Sequence, residues 1–330
     1  MGTASVVVSP ATPYEAVSAG NGTTCALASN GSAYCLGYGW TRTPLRVRDG
    51  LRFASVSVGF GWSCGLTALG AAMCWGPFFG MPGDPAAVPR PLSGGPAFAT
   101  LDAGKGSHAC GLTAAGAAWC WGEPGYVNTS GTTPGPELVL GGLVFASLAV
   151  GWDSDCALTT AGAAYCWTEG TDGPGGPVAI PGGVSFRQLA AGISHFCGVT
   201  TGGAAYCWGH NEHGQLGTGD STAAVAPRAV GGGLAFSSIS AGADYTCGIA
   251  ATGDAYCWGL DPSTFAPDQV EHLLPVPVSF AHHWATISAG TSHVCGLADD
   301  GAAYCWGVGA SGALGGPAKS ALPVRLPGQP

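Results

Sequence analysis

The stretch CGLADDGAAYC, residues 295–305, places two cysteines ten positions apart, with a glycine four positions before the second. The same frame occurs six more times, and the seven copies use all 14 cysteines of the chain. A frame repeated this strictly indicates that one structural unit recurs along the chain. The frames pair Cys25 with Cys35, Cys64 with Cys74, Cys110 with Cys120, Cys156 with Cys166, Cys197 with Cys207, Cys247 with Cys257 and Cys295 with Cys305.

Each frame predicts a β-hairpin that is closed by a three-residue loop. If Cys295 lies opposite Cys305, inward pairing leaves residues 299–301 as the loop. Such a loop is commonly a type I turn followed by a left-handed residue, which is usually glycine. The third loop position is glycine in all seven copies: Gly31, Gly70, Gly116, Gly162, Gly203, Gly253 and Gly301. The glycine therefore fixes the register of each hairpin.

This register also predicts seven local disulfides with the pairing given above. Counting outward from the loop puts each cysteine pair at a non-hydrogen-bonded position, where Cα atoms lie about 4.5 Å apart. That separation is at the short end of the disulfide range. Zinc ligation is disfavoured because structural zinc sites use closely spaced cysteines, and free buried thiols would not require strict pairing. Disulfides persist in oxidising compartments, so we expect an extracellular, periplasmic or cell-surface protein whose signal peptide is absent from this sequence.

Each unit supplies four strand candidates. An apolar stretch ending in glycine, such as residues 53–59, precedes the hairpin, and a strand with a proline follows it, as in residues 43–47, 176–180 and 322–326. Proline confines that last strand to a sheet edge. Seven such units predict an all-β fold, a seven-bladed β-propeller of four-stranded antiparallel blades, as a single domain over residues 1–330. A solenoid would need polar caps, but the end units are as apolar as the middle ones. We expect the terminal strands, around residues 5–8 and 322–326, to meet at one closure seam.

Residues 190–219 resemble the regulator-of-chromosome-condensation repeat. The matching positions are Gly192, His195, Gly203, Tyr206, Trp208, Gly209, Asn211, Gly214, Gln215, Leu216, Gly217 and Gly219. That family forms seven-bladed propellers, and the core of its pattern covers all seven units of this chain. The resemblance implies that the histidines at this position, His108, His195 and His293, are structural hydrogen-bonding residues. Paired cysteines are typical of secreted bacterial members.

Charge and composition exclude several classes of function. The net charge is −9 and only two lysines occur, Lys105 and Lys319, so no basic stripe exists to bind nucleic acid. No apolar run reaches the length of a membrane span. No G-x-S-x-G, H-E-x-x-H or Walker motif occurs, and every cysteine belongs to a pair. We expect no catalytic residue, no cofactor and no metal, and a monomeric chain.

Candidate binding residues lie between the first strand of each unit and its first cysteine, where the otherwise uniform units differ. Scaffolds display sites on variable loops, and aromatic anchors with a few polar groups suit recognition. The candidates are Phe60, Trp62, Lys105, Trp152, Asp153, Asp155, Asp244 and Tyr245.

The favoured function is a non-enzymatic, extracytoplasmic scaffold that binds a protein or a glycan through the loops of one propeller face. The alternative is a polysaccharide- or peptide-acting lyase or hydrolase with its site on the same face. A nuclear exchange factor or chromatin binder, the role of the family's namesake, is disfavoured by the low basicity and the paired cysteines. A photoreceptor like the related plant ultraviolet-B sensor is also disfavoured. The Gly-Trp-Arg-His-Thr motif of that sensor would fall at residues 151–155, where only Gly151 and Trp152 match.

Overall fold

The structure, a computed structural model, describes residues 13–48, 50–76, 88–122, 135–168, 176–264, 269–309 and 311–328. These ranges contain seven four-stranded sheets, in each of which the strands pair antiparallel in chain order. The predicted seven-bladed β-propeller is confirmed. No helix in these ranges has the length and apolarity needed to cross a membrane.

Blades 1 to 4 are formed by the first sixteen strands. They are β1 (Tyr14–Ala19), β2 (Thr23–Ala28), β3 (Ala33–Gly37), β4 (Leu45–Arg46), β5 (Ser55–Val58), β6 (Ser63–Leu66), β7 (Ala72–Trp75), β8 (Arg90–Pro91), β9 (Thr100–Asp102), β10 (His108–Leu112), β11 (Ala118–Gly122), β12 (Glu137–Leu138), β13 (Phe145–Val150), β14 (Ser154–Thr159), β15 (Ala164–Thr168) and β16 (Val178–Ala179).

Blades 5 to 7 are formed by the remaining twelve strands. They are β17 (Gln188–Ala191), β18 (His195–Val199), β19 (Ala205–Gly209), β20 (Ala224–Ala229), β21 (Phe236–Ala241), β22 (Tyr245–Ala250), β23 (Ala255–Leu260), β24 (Glu271–Pro277), β25 (Trp284–Ala289), β26 (His293–Ala298), β27 (Ala303–Val308) and β28 (Lys319–Arg325). The strand that follows each hairpin is the outermost of its sheet, as its proline predicts. Residues 5–8, the predicted N-terminal strand, lie outside the described residues.

The hairpin register is the one that the cysteine frame predicts. Cys295 pairs with Cys305 across β26 and β27, and the Ala298 amide donates to the Ala302 carbonyl at 3.0 Å. The loop glycines all have positive φ, between 76° and 93°. One glycine per hairpin therefore brings two cysteines into bonding position.

All seven predicted disulfides form, with Cα–Cα separations of 4.0 to 4.1 Å. These separations are slightly shorter than the roughly 4.5 Å of an ordinary non-hydrogen-bonded pair, because the bond draws the two strands together. The bonds join Cys25 to Cys35, Cys64 to Cys74, Cys110 to Cys120, Cys156 to Cys166, Cys197 to Cys207, Cys247 to Cys257 and Cys295 to Cys305.

The apolar core lies between blades rather than inside them. Seven clusters of buried side chains each combine residues from two neighbouring blades, and the last joins blade 7 to blade 1. At that junction Leu36 packs with Leu297 and Leu314, and β1 contacts β25 and β26. Burial of these faces, at roughly 25 cal/mol per Å² of apolar area, closes the ring.

The glycine after the first cysteine has a packing role in five blades. A Cβ at Gly65 or Gly111 would collide with the ring of Phe53 or Phe98, which starts the same blade. That ring in turn packs on the tryptophan after the second cysteine, for example Phe98 on Trp121 with centroids 5.2 Å apart. In these five blades the CG and CW dipeptides thus reflect one aromatic pair that stiffens the blade.

Candidate functional site

The loop face is the end of the propeller at which the first strand of each blade turns into the second. We define it as residues 20–22, 59–62, 103–107, 151–153, 192–194, 242–244 and 290–292. All eight candidate residues lie in these loops or at the strand ends that follow them. Their side chains divide into three groups by burial and position.

A ring of seven glycines brings the loops together. A Cβ on any of them would lie 3.3 Å or less from a backbone carbonyl oxygen of the next blade. The glycines are Gly20, Gly59, Gly104, Gly151, Gly192, Gly242 and Gly290. The ring closes on itself, because Gly290 of blade 7 faces the carbonyl of Gly20 in blade 1. The loop face is therefore held at backbone-to-backbone distance around its whole circumference.

Three buried histidines bridge neighbouring blades just below this ring. His195 Nε2 lies 2.8 Å from Thr246 Oγ1, and His293 Nε2 lies 2.8 Å from Thr24 Oγ1. His108 Nε2 lies 2.9 Å from Asp155 Oδ1. These contacts agree with the interpretation of the three histidines as structural hydrogen-bonding residues.

Burial controls the protonation of two of these histidines. Loss of hydration, with a smaller contribution from the positive charge of Lys105, lowers the pKa of His195 to about 3 and that of His293 to about 4. Both imidazoles are therefore neutral at pH 7. A neutral ring can still exchange one hydrogen bond with a threonine hydroxyl.

Three of the predicted site residues brace the blades from inside. Trp62 is 4% exposed and its indole N–H donates to the Gly106 carbonyl of the next blade. Tyr245 is 2% exposed and its hydroxyl lies 2.9 Å from the carbonyl oxygens of both Gly290 and His293. Asp155 is fully buried against His108. A partner resting on the loop face would not touch these three side chains.

Three other candidates form one surface patch. The rings of Phe60 and Trp152 meet edge to face, with centroids 5.0 Å apart and planes at 79°. Both are half-buried, and Asp153 beside them is exposed. The backbone of Trp152 also packs on Gly106 of blade 3. We call Phe60, Trp152 and Asp153 the aromatic patch.

The remaining two candidates lie apart from this patch. Asp244 is half-buried in the blade 6 loop, where burial raises the pKa of its carboxyl while His213 opposes that effect. Lys105 reaches into the central channel, and its ammonium donates to the Ala289 carbonyl of blade 7 at 2.6 Å. It thus links blade 3 to blade 7 across the channel mouth.

The central channel is a cavity of about 240 Å³ that is lined by the first strands of all seven blades. A belt of side-chain acceptors runs around it. Ser18 accepts from the Val58 amide, Ser57 from Ala103, Asp102 from Val150, Gln188 from Ile239, Ser240 from Ala289 and Ser288 from Ala19. Sequence analysis missed this belt. Most of its members stand two positions before one of the seven ring glycines. A polar residue that recurs at this position of the repeat is the sequence signal that could have revealed the belt.

Lys105 should behave as an unusually acidic ammonium. Burial lowers its pKa, and the negative charge of Asp102 only partly offsets this. We expect reductive methylation of Lys105 to reach half its maximal rate at a lower pH than that of the exposed Lys319, the only other lysine. Peptide mass spectrometry across a pH series measures both rates in one sample. A midpoint for Lys105 at or above that of Lys319 would contradict the effect of burial.

A second cleft, of about 550 Å³, lies between blades 4 and 5. Its lining is mostly apolar and includes Trp167, Val178, Phe196 and Trp208. Among the described residues that line it, His210 is the one histidine, none is a carboxylate, and Cys166 is held in a disulfide. This lining offers no pair of acid and base groups.

Within the described ranges, one group of side chains has the composition of a metal site. It consists of His108, Cys110 and Asp155, whose ligand atoms lie within 4.8 Å of one another. Cys110 is bonded to Cys120, so its sulfur carries no proton and its 3.4 Å contact with Asp155 Oδ2 is not a hydrogen bond. In the oxidised protein this group is a His–Asp pair that rests on a disulfide.

Two models of the Regulator of chromosome condensation (RCC1) repeat match the chain. One matches residues 186–215, 236–263 and 284–313, and the other matches residues 202–249. These ranges fall in blades 5 to 7. A comparison with curated proteins gives no match.

Solved structures share the fold over most of the chain. Human WBSCR16 is 19% identical, with 87% of this chain and 84% of that chain covered and a TM-score of 0.75. Yeast RCC1 (Prp20), solved bound to Kap60, is 20% identical over 98% of this chain and 86% of that chain, with a TM-score of 0.75. The ectodomain of the Physcomitrella patens receptor kinase CR4 is 25% identical over 88% and 72%, with a TM-score of 0.60.

The repeat models and the fold lead to the same assignment. The models recognise three blades by sequence, and the described residues extend the same four-stranded unit around the ring. Blades 5 to 7 therefore match the RCC1 repeat by sequence, and the chain has the fold of an RCC1-like repeat β-propeller.

Proposed function

We propose that this protein is an extracytoplasmic scaffold that binds another protein through the aromatic patch of its loop face. The observation that carries the proposal is the edge-to-face pair of Phe60 and Trp152, two partly exposed aromatic rings on a braced backbone. Aromatic anchors dominate binding energy at protein interfaces. Because the ring of glycines and the bridging histidines fix the loops, little conformational entropy is lost when a partner binds.

The disulfides support the proposed location. All 14 cysteines are paired in seven bonds, and such bonds persist in oxidising compartments. The CR4 structure and that of the Arabidopsis thaliana receptor kinase ACR4 are both ectodomains, so this propeller type occurs outside cells. We propose the same kind of environment for the present chain.

A protein partner fits the patch better than a glycan does. Sugars stack on open faces of aromatic rings, whereas the edge of one ring in the Phe60–Trp152 pair covers the face of the other. The negative charge of Asp153 suits a partner that presents an arginine or lysine beside an apolar side chain. Relatives of this fold bind proteins: yeast RCC1 was solved with Kap60, and a second Prp20p study concerns binding to Gsp1p and histones. We further propose that the whole chain acts as one monomeric domain.

The enzyme alternative stays a prediction. Asp244 is the candidate for a general acid on the loop face, because burial raises the pKa of its carboxyl. None of the contacts among the described residues places a second catalytic group on it, so the binding function is preferred.

Truncation of the aromatic patch should weaken partner binding. We expect Trp152→Ala to weaken binding of a partner isolated from the extracellular fraction by about 30-fold, the effect of losing an anchor worth roughly 2 kcal/mol. The matched control is Leu69→Ala, because Leu69 is 88% exposed on a hairpin turn of blade 2, outside the loop face. Dissociation constants from biolayer interferometry measure both variants. Equal losses in the two variants, or no loss in Trp152→Ala, would exclude the patch, and binding to a glycan array instead would exclude the protein partner.

A further inference from the structure

The His–Asp pair of blades 3 and 4 rests directly on a disulfide. His108 and Cys110 lie on the same side of β10, and Asp155 lies on β14 of the next blade. All three side chains are fully buried. Asp155 reaches His108 with one carboxylate oxygen at 2.9 Å and Cys110 Sγ with the other at 3.4 Å. One imidazole, one carboxylate and one sulfur therefore converge in the protein interior.

Two other blade junctions have the same architecture with threonine in place of the aspartate. His195 and Cys197 face Thr246, and His293 and Cys295 face Thr24. At both junctions the threonine hydroxyl also donates to a backbone carbonyl at 2.9 Å. Thr246 donates to the carbonyl of Gln215, and Thr24 donates to that of Ala313. Threonine thus satisfies the bracing role fully.

Asp155 braces this junction at a greater cost than threonine would, because burial of a carboxylate costs more than burial of a hydroxyl. The aspartate stands where a neutral residue does the same structural work in the two sister junctions. What it adds is a metal-ligating oxygen within 4.8 Å of an imidazole nitrogen and a cysteine sulfur.

We propose that blade 3 contains a latent zinc site, formed by His108, Asp155 and Cys110 and completed by Cys120, that becomes available when the Cys110–Cys120 disulfide is open. Imidazole, carboxylate and thiolate are the ligands that zinc prefers. In a tetrahedral zinc site neighbouring ligand atoms lie about 3.3 to 3.8 Å apart, as follows from bond lengths of about 2.0 to 2.3 Å. Small side-chain rotations would bring the present atoms to that spacing.

The site and the disulfide exclude each other chemically. Opening the disulfide breaks one S–S bond and forms two thiols, and the two electrons and two protons come from a dithiol reductant that is itself oxidised to a disulfide. Zinc then binds both sulfurs as thiolates and releases two protons to solvent. In the chain before oxidation, zinc would hold Cys110 beside Cys120. Exchange with a second disulfide, which takes the two electrons and leaves as two thiolates, would form the Cys110–Cys120 bond and release the metal.

One pair of variants tests the three-ligand part of the site without a reductant. Cys120→Ala leaves Cys110 as the one unpaired thiol, beside His108 and Asp155. Its matched control, Cys207→Ala, leaves Cys197 beside His195 and Thr246. We expect Co²⁺ to bind the first variant in a 1:1 ratio with a thiolate-to-cobalt charge-transfer band, and to bind the control about 100-fold more weakly. Zinc should displace the cobalt and bleach the band.

Exchange of aspartate and threonine between positions 155 and 246 should move the cobalt site from the junction of blades 3 and 4 to that of blades 5 and 6. Adding Asp155→Thr to Cys120→Ala should remove the cobalt band, and adding Thr246→Asp to Cys207→Ala should create one. A folded Cys120→Ala protein without the band, or equal bands in the two starting variants, would overturn the proposal.

A second measurement uses the native chain in case the variants do not fold. The wild-type protein is reduced with a thiol-free phosphine, with or without zinc, and then alkylated. Zinc should slow alkylation of Cys110 and Cys120 at least tenfold relative to Cys197 and Cys207, as peptide mass spectrometry would show. Equal protection of both pairs would contradict a site specific to blade 3.

Discussion

Acidification from pH 7 to pH 4 is expected to lower the free energy of unfolding by about 3 kcal/mol for each of His195 and His293. Burial lowers the pKa of His195 to about 3 and that of His293 to about 4 in the folded protein, whereas a histidine in the unfolded chain has a pKa of about 6.5. Below pH 6.5 the unfolded chain therefore binds protons that the folded protein excludes. Stability is complete above pH 6.5 and is lost as the pH falls toward the folded values.

Denaturant unfolding at pH 7, 5.5 and 4, with the disulfides intact, measures this loss. His195→Gln combined with His293→Gln should flatten the profile between pH 6.5 and 4, because glutamine keeps a hydrogen-bonding group but does not titrate. His283→Gln is the control, since the His283 side chain is 61% exposed. Carboxylates with lowered pKa values, such as Asp300, lose their stabilising effect mainly below the ordinary pKa of 3.8 and so account for only a small part of a loss in this window. An unchanged slope in the double variant would assign the acid sensitivity to other groups.

A single methyl group at the closure of the glycine ring should destabilise the protein by about 3 kcal/mol. In Gly290→Ala the new Cβ would overlap the carbonyl oxygen of Gly20, which belongs to the first blade. Backbone faces backbone at this point, so neither side can give way without separating blade 7 from blade 1. The loss would fall on the junction between blade 7 and blade 1.

Thermal unfolding with Gly202→Ala as the control checks this prediction. Gly202 has no neighbouring atom nearer than 3.9 Å and does not have positive φ, so its substitution should leave stability within about 0.5 kcal/mol. Equal melting temperatures for Gly290→Ala and Gly202→Ala would mean that the ring of glycines does not limit stability.

Most of the fold could be predicted from the cysteine frame, because each copy contains a loop glycine that sets the register of its hairpin. Gly301 is left-handed with φ of 76°, and that one conformation sets which residues face each other up to Cys295 and Cys305. Repetition then removes the ambiguity that a single hairpin would leave. The chain ends are different: residues 5–8 lie outside the described ranges, and the repeat says nothing about their position.

The candidate site was less predictable because burial within the loops depends on local backbone reversals. Phe60 and Trp62 are two positions apart, yet one is half-buried at the surface and the other is buried. Gly61 between them has φ of 75°, so the alternation that applies to a strand fails there. A signal for Trp62 and Tyr245 did exist: both stand two positions before a first cysteine, in the column that His108, His195 and His293 occupy.

All of the covalent cross-links in this ring are internal to single blades. Each joins residues ten apart in one hairpin, and among the described residues none connects two blades. Under a stretching force applied to the two ends of the chain, the load therefore falls first on the packing between blade 7 and blade 1. After that junction parts, the blades would detach one at a time, each still carrying a locked loop of nine residues that adds no length. The protein would therefore unfold under tension blade by blade, with each hairpin still closed by its disulfide, and not in one cooperative step.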